Sequence, residues 1–179
     1  MRLAARVAIT LALCSSAAAR AATIHVPADQ PTLQAGIDAA AAGDTVLVAP
    51  GTYAGPGNRD LDFGGNGVVL RSEDGAAATI IDCEMAGRAI RFHSGETRAA
   101  VVDGFTIQNG RMSGNDPALF GGGIRAEGAA PTIARCIFRG NSAASGGALA
   151  CLSFSGHSPA IRECIFSDNS ASLGGALYN

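Results

Sequence analysis

Pro131-Thr132-Ile133-Ala134-Arg135-Cys136-Ile137-Phe138-Arg139-Gly140-Asn141-Ser142-Ala143 recurs without a gap as Pro159-Ala160-Ile161-Arg162-Glu163-Cys164-Ile165-Phe166-Ser167-Asp168-Asn169-Ser170-Ala171. The offset is 28 residues throughout (159 − 131, 164 − 136, 169 − 141). A glycine mark keeps similar time. Gly121-Gly122-Gly123-Ile124 precedes the first copy, Gly146-Gly147-Ala148-Leu149 follows it, and Gly174-Gly175-Ala176-Leu177 follows the second. A repeat of roughly 20 to 50 residues is the sequence signature of a solenoid.

Each unit holds three short apolar runs, Gly-Gly-Ala-Leu, Pro-Ala-Ile and Cys-Ile-Phe, separated by Gly, Asn, Ser and Pro. None is long enough for a helix of about ten residues, and the punctuation is that of strands and turns. Three strands per turn, stacked coil on coil, predict an all-β chain folded as a right-handed parallel β-helix, in which neighbouring coils bury what a single coil cannot. Spacing extends the pattern upstream. Leu149 to Ile161 and Ile90 to Val102 are each 12 residues, Ile124 to Ile133 is 9, and the next step, to Cys164, Phe105 or Cys136, is always 3. The variable first loop is where insertions belong in such a fold.

Residues 1–21 read as an export leader: Arg2 and Arg6, an apolar run from Val7 to Cys14, and Ala19-Arg20-Ala21 as a small-x-small cleavage site. The run is shorter than the roughly 20 residues a bilayer requires. Leu13 before Cys14 argues against lipidation, which needs a small residue there. Residues 22–179 then form one β-helix domain. A short capping helix is expected from Pro31 to about Ala42, with Leu33, Ile37, Ala40 and Ala41 on its apolar face and Gly43 as its stop. Its task is to cover the open first coil.

Residues Thr23 to Tyr53 resemble the N-terminal cap of secreted proteins in the pectin lyase-like, right-handed β-helix superfamily. The alternating Gly-Gly-Ala-Leu and Phe138-x-x-Asn141 or Phe166-x-x-Asn169 marks resemble the repeats of chlamydial polymorphic outer membrane proteins. The resemblance implies an extracellular or surface β-helix, often adhesive. It implies no single chemistry, since the same fold serves lyases, hydrolases, esterases and inert stalks.

Alternation assigns faces. Ile90, Ile124 and Leu149 point inward with Phe92, Ala126 and Cys151, whereas Arg91, Arg125, Ala150 and Tyr178 point out. Phe105 and Ile107, Cys136 and Phe138, and Cys164 and Phe166 fill the interior on the third strand. Asn141 and Asn169 fall at one turn of successive coils, where their amides can bond the neighbouring coil. Cys83, Cys136, Cys151 and Cys164 make an even count, as export allows. Stacked about 4.8 Å apart, Cys136 and Cys164 are within reach of a disulfide, yet parallel inward side chains seldom attain a torsion near 90°, so a thiol ladder is expected.

A net charge of −2 without a basic stripe argues against nucleic acid. An enzyme acting on polysaccharide would need paired carboxylates or a Ca²⁺ site on adjacent coils. The first strand offers Arg91 and Arg125 with no acid beside them, the second only Asp103 beside Ala134 and Arg162. Asp60 and Asp62 read as loop residues, Gly64-Gly65-Asn66-Gly67 as a turn, and His25, His93 and His157 share no spacing. No metal, cofactor or catalytic residue is expected. The weak binding candidates are Arg91, Arg125 and Asp103, together with the loop from Arg111 to Phe120. The expectation is a secreted or outer-surface adhesin-like or scaffold module that meets carbohydrate or a host or cell-surface protein. The alternative is the N-terminal part of a polysaccharide lyase or glycoside hydrolase. Because the chain stops on the first strand of a new coil, it reads as truncated at its C-terminal end.

Overall fold

A computed structural model describes residues 20–112, 119–152 and 156–179. The chain is a parallel β-solenoid of about four turns, with one short helix. It enters through β1 (Thr23–Val26), α1 (Leu33–Ala39), β2 (Thr45–Val48) and β3 (Gly51–Tyr53). The next coil is β4 (Leu61–Asp62), β5 (Val69–Ser72) and β6 (Thr79–Asp82), and the one after it β7 (Ile90–Phe92), β8 (Val101–Asp103) and β9 (Thr106–Gln108). Two four-strand coils follow: β10 (Ile124–Glu127), β11 (Thr132–Ala134), β12 (Ile137–Arg139) and β13 (Ser142–Ser145), then β14 (Leu149–Leu152), β15 (Ala160–Arg162), β16 (Ile165–Ser167) and β17 (Ser170–Leu173). Finally β18 (Leu177–Tyr178) stacks on β14.

Equivalent strands form sheets along the solenoid: β4-β7-β10-β14-β18, β1-β2-β5-β8-β11-β15, β3-β6-β9-β12-β16 and the pair β13-β17. We call the first of these the first sheet. Every pairing is parallel, and the registers are those that the spacing predicts. Ile90 faces Ile124, which faces Leu149, and Val102 faces Ile133, which faces Ile161. The inward column is dry. Phe63, Phe92, Phe105 and Phe138 are fully buried, with the Phe63 and Phe92 rings 4.9 Å apart and those of Phe138 and Phe166 stacked at 5.0 Å.

Between the second and third strands the chain turns through a left-handed residue: Gly104 in one coil, Arg135 and Glu163 at φ 50° and 52° in the next two. The tight three-residue step from Ile133 to Cys136 depends on that conformation, which costs a non-glycine residue about 1 kcal/mol or more. The Gly-Gly mark has a different cause. A Cβ on Gly146 (φ 63°) would overlap the Leu149 carbonyl oxygen, and one on Gly147 the carbonyl oxygens of Gly175 and Ser170. The backbone of one coil lies directly on that of the next there, leaving no room for a side chain.

The helix is shorter than the sequence suggests. Thr32 is its N-cap, accepting the Ala35 N–H at 3.2 Å, so Pro31 lies outside rather than at the first helical position. Ala40 is already extended and Ala41 exposed, and Gly43 (φ 92°) serves the turn into β2 rather than the helix end. Leu33 and Ile37 are buried as expected, and Gly36 lets the helix lie close on Val26 and Val46. Gln34 completes the cap. Its side-chain amide donates to the Asp62 carbonyl oxygen at 3.0 Å and accepts the Asp62 N–H at 2.9 Å. It thereby stands in for a neighbouring strand along β4, which lies at one end of the first sheet. Gln34→Ala is expected to cost about 1–2 kcal/mol and to raise light scattering on heating. Unchanged scattering and melting would show that α1 does not guard this edge.

Candidate functional site

On the outward face of the first sheet, Asp62 of β4, Arg91 of β7, Arg125 of β10, Ala150 of β14 and Tyr178 of β18 stand in one column. Two residues on, His93 and Glu127 occupy the next outward positions after Arg91 and Arg125. Charged side chains are tolerated here because alternation turns them away from the apolar interior. Asp62, Arg91, His93 and Arg125 line a cleft of about 320 Å³ with Asp60, Arg88 and Met112. That volume is near the lower end of small-molecule sites, roughly 300 to 1,000 Å³.

Two sequence expectations are corrected here. Arg91 does have an acid beside it: Asp62 belongs to a strand, not a loop, and is its register partner. Arg125 points outward as expected yet is only 7% exposed. Arg111 and Phe120 each bridge to β13, at Ser142 and Ser145, so the excursion between them leaves and returns beside the first sheet. Met112 at one end lines the cleft with Arg125. At the other end the Phe120 carbonyl oxygen accepts from Arg88 Nη1 at 2.7 Å, and the Phe120 ring meets Tyr178 at 5.4 Å. Residues 113–118 of the predicted binding loop lie outside the described residues.

The polar contacts are specific. Asp62 Oδ2 lies 3.2 Å from His93 Nε2, and Asp62 Oδ1 accepts the Gly64 N–H at 2.8 Å. Asp60 Oδ1 accepts the Arg88 N–H at 3.2 Å. Glu127 Oε2 lies 2.9 Å from an Arg125 terminal nitrogen and 3.7 Å from one of Arg91, so two guanidinium groups converge on one carboxylate oxygen. At 3.7 Å the Arg91 contact is Coulombic rather than a hydrogen bond. Among the described residues no hydrogen-bond partner meets the buried Arg125 Nε. The arrangement can hold an anion on fixed guanidinium forks, and the Asp62–His93 pair can accept or deliver a proton.

Asp103, the third candidate, is not part of this site. It stands beside Ala134 in the second sheet as predicted, with Arg71 on its other side. Arg135 bonds Asp103 Oδ2, Arg71 Nε lies 3.9 Å from the same oxygen, and the residue is 8% exposed. Among the described residues no hydrogen-bond partner meets its buried Oδ1. Among the described residues no three His, Cys, Asp or Glu side chains cluster as a metal site, and no helix is long and apolar enough to cross a membrane.

The asparagines and cysteines hold coils together. Asn141 Oδ1 accepts the Gly110 N–H at 2.8 Å, its Nδ2 donates to the Ile107 carbonyl oxygen at 3.0 Å, and Asn169 repeats the move on the Phe138 carbonyl oxygen at 2.9 Å. Cys83, Cys136, Cys151 and Cys164 are free thiols. Burial pushes Cys83 up to about 12 and Cys151 to about 11. The hydrogen bond from the Cys136 thiol holds Cys164 down at about 7 and raises Cys136 in return. Because the thiolate is the nucleophile, iodoacetamide should label Cys164 first, at a rate that climbs as pH rises through about 7. Cys83, Cys136 and Cys151 should react only on unfolding. Labelling of all four at one rate in the folded protein would contradict the ladder.

The model of the Chlamydia polymorphic membrane protein (Chlamydia_PMP) repeat family matches residues 163–179, which take in β16, β17 and β18 with Asn169 and Gly174-Gly175-Ala176-Leu177. No curated protein and no solved structure matches the chain. The chain is a parallel β-solenoid whose last repeat is similar to that of the Chlamydia polymorphic membrane proteins.

Proposed function

We propose that the protein is a secreted β-helix of the pectin lyase-like superfamily that works at a cell surface as an adhesin-like recognition module. The observation that carries this reading is the cleft on the outward face of the first sheet. There the coil from β7 to β10 is enlarged to 34 residues (124 − 90), against 25 (149 − 124) and 28 (177 − 149) for the next two. Solenoids bear their ligands on the face that carries such insertions. The leader-like residues 1–21 and the likeness to a membrane-protein repeat support the surface setting. Carbohydrate or a cell-surface protein is the partner, met without chemical change.

The test immobilises the purified protein and measures capture of intact cells, alongside release of unsaturated products or reducing ends from pectins and other polysaccharides. Capture without turnover supports the module. Failure to capture any cell type overturns it. A polysaccharide lyase or hydrolase is the second reading, favoured by the Asp62–His93 pair beside Arg91, which could serve as acid and base. Turnover lost in His93→Ala would establish that reading instead.

A further inference from the structure

We infer that Cys136 and Cys164 form a site for one soft, two-coordinate metal ion of the Cu(I), Ag(I) or Hg(II) class, held between adjacent coils as a bis-thiolate. The site lies at the start of β12 and β16, apart from the first-sheet cleft, and does not depend on the recognition reading above.

Register brings the two thiols together. Ile137 faces Ile165, and the Ile165 N–H donates to the Cys136 carbonyl oxygen at 2.9 Å, so each cysteine stands one residue before a paired strand. Both side chains turn into the solenoid. Cys136 is 1% exposed within the apolar core, and the half-buried Cys164 packs against that core. The two sulfurs share a hydrogen bond. Their other contacts are long ones to backbone carbonyl oxygens: Cys136 Sγ to Ala134 at 3.2 Å and Val102 at 3.8 Å, Cys164 Sγ to Arg162 at 3.3 Å and Ile133 at 3.7 Å. A thiol is a weak donor, so little is lost when a metal ion takes the place of its proton.

Ladder spacing suits a metal ion better than a disulfide. An S–S bond of about 2.05 Å with a torsion near 90° requires the two side chains to converge. Parallel strands instead hold equivalent atoms about 4.8 Å apart. Two metal–thiolate bonds of about 2.3 Å, set in line, span about 4.6 Å. The ion therefore fits between the sulfurs without a backbone shift. On binding, two S–H bonds break, two metal–sulfur bonds form, and both protons leave to water.

The ligand set selects the ion. Among the described residues no third His, Cys, Asp or Glu joins the pair, so they do not supply the four ligands that Zn²⁺ takes in a structural site. Thiolates favour soft ions, and two of them suffice for linear coordination. A monovalent ion leaves the complex with one negative charge. Asp103 acts on Cys164 electrostatically, but with Arg71 and Arg135 on its Oδ2 that group carries a net +1 (2 − 1). Cys151 has no such neighbour on the coil before, where it stands in register with Ala126.

The experiment titrates the purified, reduced protein with Cu(I) under nitrogen in competition with bicinchoninate, and with Ag(I), Hg(II) and Zn(II) in parallel. The readouts are thiolate–metal ultraviolet absorption and thermal unfolding. One Cu(I) should bind per chain, raise the melting temperature and block iodoacetamide at Cys164, and Ag(I) and Hg(II) should do the same. Cys136→Ser and Cys164→Ser should each weaken Cu(I) binding by about a hundredfold or more, because one arm of a two-point chelate is gone. Cys151→Ser should leave it unchanged. Cys164 is only half-buried, so Cys164→Ser keeps the fold even if Cys136→Ser loosens the core, and melting without metal checks this. Cu(I) affinity retained in Cys164→Ser, or lost equally in Cys151→Ser, overturns the inference. So does Zn(II) binding within about tenfold of Cu(I), which marks a harder, four-coordinate site. A Cys136–Cys164 disulfide in protein purified without reductant also overturns it, because the sulfurs then converge instead of keeping the ladder spacing.

Discussion

Phe138→Ala is expected to destabilise the solenoid by about 3–5 kcal/mol, the range for emptying a fully buried aromatic site. Phe138 has no exposed surface, stacks on Phe166 at 5.0 Å with an interplanar angle of 8°, and lies in register with Ile107 on the coil before. Neighbouring coils cannot collapse into the space, because backbone hydrogen bonds hold their spacing near 4.8 Å. The cavity therefore persists, and the interface between the two β12-flanking coils loses packing on both sides. For a chain of this size the melting temperature should fall by roughly 6–20 °C. Phe138→Leu should recover about half of the loss. Ile165→Ala removes a large apolar side chain that is 60% exposed, and should cost under about 1 kcal/mol. Comparable shifts for Phe138→Ala and Ile165→Ala in thermal or urea unfolding would contradict the assigned interior.

Asn141→Ala is the second large effect, expected at about 2–5 kcal/mol. Asn141 is fully buried. Its amide satisfies Gly110 N–H at 2.8 Å and the Ile107 carbonyl oxygen at 3.0 Å, and its Nδ2 and backbone N–H both reach Asn169 Oδ1 at 3.0 Å. Stranding a buried polar group costs about 1–3 kcal/mol each, and here a donor and an acceptor on the previous coil lose the same partner. Asn141→Asp separates hydrogen bonding from volume. The shape is kept, but an oxygen replaces the donor that faces the Ile107 carbonyl and Asn169 Oδ1. Its cost should equal or exceed that of alanine near neutral pH. Asn66→Ala, in an exposed turn, should cost under about 0.5 kcal/mol. If Asn141→Asp is tolerated while Asn141→Ala is not, the side chain fills space and does not bond the coils.

Both effects fall at positions that the repeat alone picks out. Thirteen residues repeated at one offset force Phe138 over Phe166 and Asn141 over Asn169, and the alternation of apolar residues says which of them face inward. The registers of Ile90, Val102 and Phe105 are legible in the spacing too, because the step between second and third strands is held at three residues by a left-handed turn. Other elements leave no such trace. Ser142–Ser145 and Ser170–Leu173 pair as strands, yet Ser-Ala-Ala-Ser has neither β-branched residues nor alternation to announce one. Leu61–Asp62 is two residues long, below any periodicity.

The sequence by itself determined the repeat, the parallel stacking and the apolar interior, since burial in a solenoid is dictated by local alternation multiplied along the coils. The candidate cleft was decided by the tertiary structure alone. Asp62 and His93 are 31 residues apart (93 − 62), and Arg91 and Arg125 are 34 apart (125 − 91). Neither distance is the 28 of the visible repeat, because each coil carries its own loop length. Only closing those unequal loops onto a common sheet brings the residues into one outward column and folds the ends of the Arg111–Phe120 excursion beside it. Arg125 is 7% exposed on that outward face, and no property of the residues around it in the chain encodes that burial.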